Sequence, residues 1–321
     1  MPDAAAADIM LKDVLEGLRM RQKELSPKYL YDARGSELFE CITELEEYYP
    51  TRTERALLER WAGQWVAETR PKAFVELGAG SAEKSRVVLT AMEASGTGGL
   101  YVPVDVSGEF LHDTARRLRD EYADFRVEPE VADISLPFDL SDDLPRPTWI
   151  ALLGSTIGNF PPSEAVRLLS RVAAHLRPGD KFLMGVDLRP GPGKSVARLE
   201  RAYNDAEGVT AEFNLNVLRV LNRDLCATFD LDAFQHRAFY DPVEHRIEMH
   251  LVARTPQEAR IGDEVVTLDA SESIRTEISC KHDRESVGAI FGAAGLRTER
   301  WVEDPDAAFA LVLAGKAFPG S

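Results

Sequence analysis

Cysteine, cationic charge and long apolar runs are what this chain of 321 residues is short of, and each shortage removes a class of explanation. The three cysteines, Cys41, Cys226 and Cys280, are far apart and odd in number, so the spacing offers neither a disulfide framework nor a CxxC metal clip. Lys and Arg number 38 against 54 Asp and Glu, a formal net charge of −16. Such a surface repels phosphate backbones and anionic bilayers, so neither nucleic acid nor a membrane is expected as a partner. No apolar run approaches the roughly 20 residues of a membrane span. The opening Met-Pro-Asp-Ala-Ala-Ala-Ala-Asp has neither a basic n-region nor a long apolar core, and a secretory signal is not expected. These features point to a cytoplasmic protein, taken as a monomer. Metal spacing is missing too. Among His112, His175, His236, His245, His250 and His282 no pair has ligand geometry; His245 and His250 are five apart on an expected strand and face opposite ways.

What the chain does have is a globular composition, 44% hydrophobic and 29% charged. An amphipathic stripe of Ile9, Leu11, Val14, Leu15 and Leu18 predicts a helix over 8–30. Ser36 is the expected N-cap of a short second helix. Thr51-Arg-Thr-Glu54 has capping-box spacing and predicts a helix to about Thr69. From residue 72 strands and helices alternate. Strands are expected at 73–77, 100–104, 125–131, 149–153 and 182–186, with helices from about 82, over 108–123 and over 163–176. The rhythm implies a parallel sheet covered by helices on both faces. It stops at Arg189-Pro-Gly-Pro-Gly193. Helix is then expected over 195–222 and strands at 234–240, 246–252, 264–268 and 272–280. A final helix over 284–294 ends at Gly295, and strands at 297–302 and 308–313 complete the first sheet. A nucleotide-type domain of 52–189 plus 281–321 therefore receives an inserted α+β domain of 190–280, on which residues 1–51 pack.

The junction of the first strand and helix reads Val75-Glu-Leu-Gly78-Ala-Gly80-Ser-Ala-Glu83-Lys84. Glycines there let the backbone approach a ligand at a helix N-terminus. Glu76, two residues before the first glycine, is placed as in many methyltransferases. Glu83 stands where a dinucleotide fingerprint needs Gly or Ala, which weakens a nicotinamide reading. Asp105 ends the second strand, where a carboxylate accepts ribose hydroxyls; a helix N-cap is its plainer role. Asp133-Ile134 follows the third strand, where an adenine amino group would sit, and a solvated loop is the plainer reading for it.

Longer stretches are more specific. Tyr31-Asp-Ala-Arg-Gly-Ser-Glu-Leu-Phe39, Glu47-Tyr-Tyr-Pro-Thr-Arg-Thr-Glu54, Leu153-Gly-Ser-Thr-Ile-Gly-Asn159, Arg201-Ala-Tyr-Asn-Asp-Ala206, Arg246-Ile-Glu-Met249 and Thr276-Glu-Ile-Ser-Cys-Lys281 resemble the L-histidine Nα-methyltransferases of ergothioneine biosynthesis, from about residue 25 onward. The resemblance implies a Rossmann-like class I sheet that binds S-adenosylmethionine (SAM), an inserted α+β substrate domain, and three methyl transfers to histidine giving hercynine. It implies cofactor contacts at Gly78, Lys84, Asp105, Asp133 and Ile134. It also places Tyr48, Asn159 and Tyr203 at the amino-acid head group, with Tyr48 and Asn159 as the catalytic candidates, and Tyr31, Met249, Glu277 and Ser279 around the imidazole.

The residue chemistry agrees. Strand alternation puts Glu277 and Ser279 on one face, and a carboxylate with a hydroxyl complements an imidazole's N–H donor and nitrogen acceptor. The plainer alternative pairs Glu277 with Arg275 or Lys281 on a solvated edge and leaves Met249 as core. Asn159 follows the fourth strand, where its amide suits an amino-acid head group or, more simply, caps the next helix. Another amino acid as substrate and a non-catalytic SAM-binding protein stay open.

Overall fold

A computed structural model describes residues 4–317. The outermost residues of the expected domains, 1–3 and 318–321, and with them the start of the segment judged not to be a secretory signal, lie outside the described residues. The chain divides into two compact units: residues through Tyr48 with Val196–Ser279, and Tyr49–Ser195 with Cys280 onward.

The second unit is built on a twisted mixed sheet. Strands Arg126–Val127 and Glu130–Val131 pair with Leu100–Asp105; then come Ala73–Leu77, Thr148–Leu152 and Lys181–Asp187, all parallel. Phe309–Lys316 joins antiparallel to Lys181–Asp187 and Leu296–Glu303 closes the edge. The parallel strands read as continuous apolar runs because both faces are covered. Val75, Val102, Ile150 and Phe182 point to one side, against Leu168 and Leu169 of helix Pro162–His175 and Phe291 of helix Arg284–Ala294. Their neighbours Phe74, Tyr101, Trp149 and Leu183 point to the other, against helices Tyr49–Thr69, Ser85–Ala94 and Gly108–Glu121. The expected parallel sheet with helices on both faces and two late strands is the sheet observed.

The first unit carries a four-stranded sheet in the order Lys23–Glu24, Ser273–Cys280, Arg246–Ala253, Phe234–Asp241, and a separate hairpin of Gln257–Ile261 with Glu264–Leu268. Helix Val209–Asp224 buries Phe213, Val217, Leu218 and Leu221 at helical spacing and packs on the last two strands of that order. Asn214 links it to the sheet, donating to the His250 carbonyl at 3.1 Å and accepting from Thr276 at 2.5 Å.

Several boundaries differ from expectation for local reasons. The first helix is Ala4–Leu18, not 8–30; a polar run from Arg19 and a proline at 27 end it, and a short 3-10 turn Pro27–Leu30 follows. The second helix is Ala33–Glu44 and is capped by Asp32, whose carboxylate accepts from Gly35 N at 2.9 Å, rather than by Ser36. No capping box forms at Thr51: the helix begins at Tyr49, because Pro50 in a first turn loses no hydrogen bond. The third strand is two short pieces. The expected helix over 195–222 is Val196–Arg201 and Val209–Asp224, separated where Gly208 takes φ +77° and Asp205 caps Val209 and Thr210 N at 2.8 Å each. The strand Gln257–Ile261 has no counterpart in the expectation. Among the described residues, no helix is long and apolar enough to cross a membrane.

Candidate active site

In the sheet unit, the carboxyl ends of three neighbouring parallel strands bring together the cofactor candidates. Strand Ala73–Leu77 breaks at Gly78 (φ +72°), and Gly80 also has positive φ (+52°), which glycine adopts without strain. A Cβ on Gly78 would meet Thr156 at 3.8 Å, while one on Gly80 would meet nothing within 4 Å, so the loop presents bare backbone. Asp105, at the end of the next strand, fixes this loop. One carboxylate oxygen accepts from Gly80 N at 3.0 Å and the other from Ser107 N at 3.0 Å. A carboxylate has about four acceptor lone pairs, so two remain in kind for a pair of ribose hydroxyls. The helix-cap role weighed for Asp105 is thus only partly realised: it tethers the turn before Gly108–Glu121, whose N-cap residue is Ser107.

Asp133 and Ile134 lie half-buried after the third strand. Asp133 accepts from Ser135 N and Oγ at 2.9 and 2.5 Å; Ile134 packs against the core. Asn159 ends the 3-10 turn Thr156–Asn159 and is half-buried. The following helix is Pro162–His175 with Pro161 at its N-cap position, so Asn159 is not the cap residue.

Lys84 is tied to a residue that the site residues inferred from sequence omit. Its ammonium sits 2.6 Å from Glu54, a carboxylate with no solvent exposure, which also accepts from Gly154 N at 2.9 and 2.8 Å. Glu54 thereby links the glycine loop's lysine to the turn leading to Asn159. Its signal was present: Glu54 falls three and four residues before Leu57 and Leu58, on the buried stripe of its helix. Asp187, ending strand Lys181–Asp187, was likewise overlooked. It is buried and accepts from Tyr49, Lys194 and Lys281.

Glu76 is buried beneath the loop, accepting from Tyr101 at 2.6 Å and from Ser85. Burial pushes its carboxyl up to about 7 against the pull of those two bonds. The folded chain keeps this proton where the unfolded chain, near an ordinary 4.5, has released it. Its contribution to stability therefore falls as pH rises between those values and levels off above them. His282 has the opposite sign. Burial, Lys281 and Arg189 lower it to about 4, so its contribution is lost as pH falls through that range. Replacing Glu76 with Gln removes the titrating proton. Thermal melts should show the variant gaining on the parent from pH 5 to 7.5, by about 2 kcal/mol; a constant difference across that range would refute the assignment.

In the other unit, a connected set of five aromatic rings reaches Glu277 through Tyr31 and Ser279 through Tyr203. Tyr31 meets Phe39 and Phe213 edge-on at 5.6 and 5.3 Å, Phe39 meets Tyr48 at 6.2 Å, and Tyr48 meets Tyr203 at 6.2 Å. Tyr203 donates to Ser279 Oγ at 3.0 Å, and Tyr31 lies 3.4 Å from Glu277 Oε1. Burial, then the Glu277 charge, raises the Tyr31 phenol well above its ordinary value and keeps its proton. Glu277 and Ser279 are buried, and the solvated-edge alternative does not hold: Arg275 turns to Glu24 and Glu248, and Lys281 to Asp187 at 2.8 Å. Burial does not alternate strictly here, since Thr276 and Glu277 are both buried. Met249 is buried, and its carbonyl accepts from Thr276 at 3.1 Å, one residue before Glu277.

Six of the seven substrate-side candidates thus fall in one unit. Asn159 and all five cofactor candidates fall in the other. Comparison with known proteins gives the chain a family. A family model described as "Histidine-specific methyltransferase, SAM-dependent" matches residues 10–316. Histidine N-alpha-methyltransferase of Mycobacterium tuberculosis is 43% identical over 309 residues, covering 95% of this chain and 94% of that protein. The protein of the same name from Mycolicibacterium smegmatis is 42% identical, covering 97% and 96%. Ergothioneine biosynthesis protein 1 of Neurospora crassa is 30% identical over 85% of this chain, which matches 31% of that longer protein. The chain belongs to the histidine-specific, SAM-dependent methyltransferases.

Proposed function

We propose that this protein transfers three methyl groups from SAM to the α-amino nitrogen of free histidine, giving hercynine for ergothioneine synthesis, as a cytoplasmic monomer. The observation that carries the substrate is the buried Glu277 and Ser279 pair with its tyrosines. Ser279 accepts from Tyr203 and carries one O–H that can donate; Glu277 is an acceptor. An imidazole offers the matching N–H and bare nitrogen.

The sheet unit holds SAM. Gly78 lets the backbone approach it, Asp105 takes the ribose hydroxyls, Asp133 and Ile134 take the adenine, and Lys84 faces the carboxylate with donors beyond the one on Glu54. The fit rests on the open glycine loop and on a fixed carboxylate with unused lone pairs. Bound SAM supplies an electrophilic methyl carbon. The chain's own task is orientation: the amine must be neutral with its lone pair aimed, and positioning supplies most of the acceleration. Tyr48, Tyr203 and Asn159 hold the α-carboxylate and amine. Each transfer removes an N–H, so the anchors must act on groups that do not change, the carboxylate and the ring. Tyr48 is a phenol able to accept a hydrogen bond from the ammonium while the proton passes to solvent water, and tyrosine faces favour the product cation by a modest cation–π attraction.

Offering SAM with each free amino acid and reading products by mass tests the substrate. Histidine alone should gain methyl groups; a different amino acid gaining them in its place would refute the reading. Asp105→Ala should weaken SAM binding about tenfold by calorimetry, through lost ribose contacts and a loosened Gly80 loop; equal affinity would remove Asp105 from the site.

A further inference from the structure

The chain passes between its two units at Tyr48/Tyr49, Ser195/Val196 and Ser279/Cys280. One side chain in the sheet unit holds a residue beside each of these points. Asp187 is 1% exposed and accepts from Tyr49 Oη at 2.7 and 3.0 Å, from Lys194 Nζ at 2.5 Å and from Lys281 Nζ at 2.8 Å. Tyr49 is the first residue after the first crossing, Lys194 stands two before the second, and Lys281 two after Ser279. Lys194 also donates to the carbonyls of Leu188 and, at 3.2 Å, Ala308, and lies 5.1 Å from the Tyr49 ring centre. The Asp187 backbone N–H donates to Ser155 Oγ at 2.9 Å, in the run that ends at Asn159. Three segments distant in sequence thus converge on one carboxylate at the end of a central strand.

Stability alone is a weak explanation for this arrangement. Two ammonium groups and one carboxylate are buried together, and such a cluster rarely outperforms apolar packing of the same volume. Its geometry is specific, however. Tyr48 is bonded to Tyr49, and Ser279 is two peptide links from Lys281, so fixing Tyr49 and Lys281 restricts where those two side chains begin. We propose that Asp187 is a positioning residue for histidine binding, acting through the backbone of Tyr48 and Ser279. This rests on the assignment of Tyr48 and Ser279 to histidine made above.

Asp187→Asn would strand two buried ammonium groups and risks misfolding, so the test uses Tyr49→Phe and Lys281→Met. The first removes one hydroxyl; the second leaves Lys194 and Asp187 as a balanced pair. Each full-length variant is compared with the parent for histidine KM and kcat, for SAM affinity by calorimetry and for melting temperature. Histidine KM should rise and kcat fall, roughly tenfold in kcat/KM, with SAM affinity unchanged. Lower melting temperature with unaltered histidine kinetics would overturn the inference and leave Asp187 a structural clip. Tyr48→Phe and Ser279→Ala, run alongside, separate the two failures. If they leave histidine KM unmoved, the substrate assignment falls and this inference with it. If they raise it while Tyr49→Phe and Lys281→Met do not, only the inference about Asp187 falls.

Discussion

Replacing Glu277 with alanine should raise the histidine KM roughly thirtyfold while SAM affinity stays at the parent value. A charge-assisted hydrogen bond to a ring N–H contributes about 2 kcal/mol, and each 1.4 kcal/mol is about tenfold. The site makes the loss hard to repair. Glu277 is 8% exposed and lies 3.4 Å from the Tyr31 hydroxyl, and a phenol is no substitute for a full negative charge. Glu277→Gln should recover part of the loss, because an amide oxygen still accepts. Steady-state kinetics with histidine varied at saturating SAM, and calorimetry with SAM alone, distinguish this from general damage. A rise in the SAM dissociation constant matching that in histidine KM would mean that Glu277 supports the fold, not the ring.

The second large effect is expected at Glu54. Alanine there leaves Lys84, 20% exposed, without its 2.6 Å partner and Gly154 N–H without its acceptor. Breaking a buried pair from one side costs about 3–5 kcal/mol, which for a unit of this size lowers the melting temperature by about 10 °C. SAM affinity should fall with it, because the lysine and the turn toward Asn159 lose a common anchor. Gly185→Ala provides an independent approach to the same contact: an added Cβ would lie 1.7 Å from Glu54 Oε1 and must displace it. Calorimetry and thermal melts of both variants should therefore move together. A Glu54→Ala protein with parental melting temperature and SAM affinity would show the pair to be dispensable.

What the sequence revealed and what it hid follow one pattern. Strands such as Ala73–Leu77 and Thr148–Leu152 were legible because burial on both faces leaves an uninterrupted apolar run, and the end of helix Arg284–Ala294 because Gly295 marks it. Helix starts decided by competing polar residues were not: Asp32 outcompetes Ser36, and Pro50 makes Tyr49 a better start than Thr51. In the site, Gly78 and Asp105 stand out from local pattern, since a glycine turn and a strand-end carboxylate are short-range signals. The roles of Glu277 and Ser279 needed the family resemblance, because alternation says which face a residue takes and not which rings surround it. Glu54 and Asp187 were hidden for a further reason. The helical stripe marks Glu54 as buried but says nothing of its partners, which lie 30 and 100 residues away, nor of the Tyr49 bond of Asp187, 138 residues away.

The central claim is that the methyl groups arrive on the α-nitrogen of histidine. The direct measurement is an NMR time course with histidine labelled by nitrogen-15 at the α-amino group and SAM labelled by carbon-13 at the methyl. Coupling between the two labels should appear, pass through mono- and dimethyl species, and end in a single trimethylammonium signal with the ring resonances unmethylated. Label appearing on an imidazole nitrogen, or no transfer to histidine at all, would contradict it.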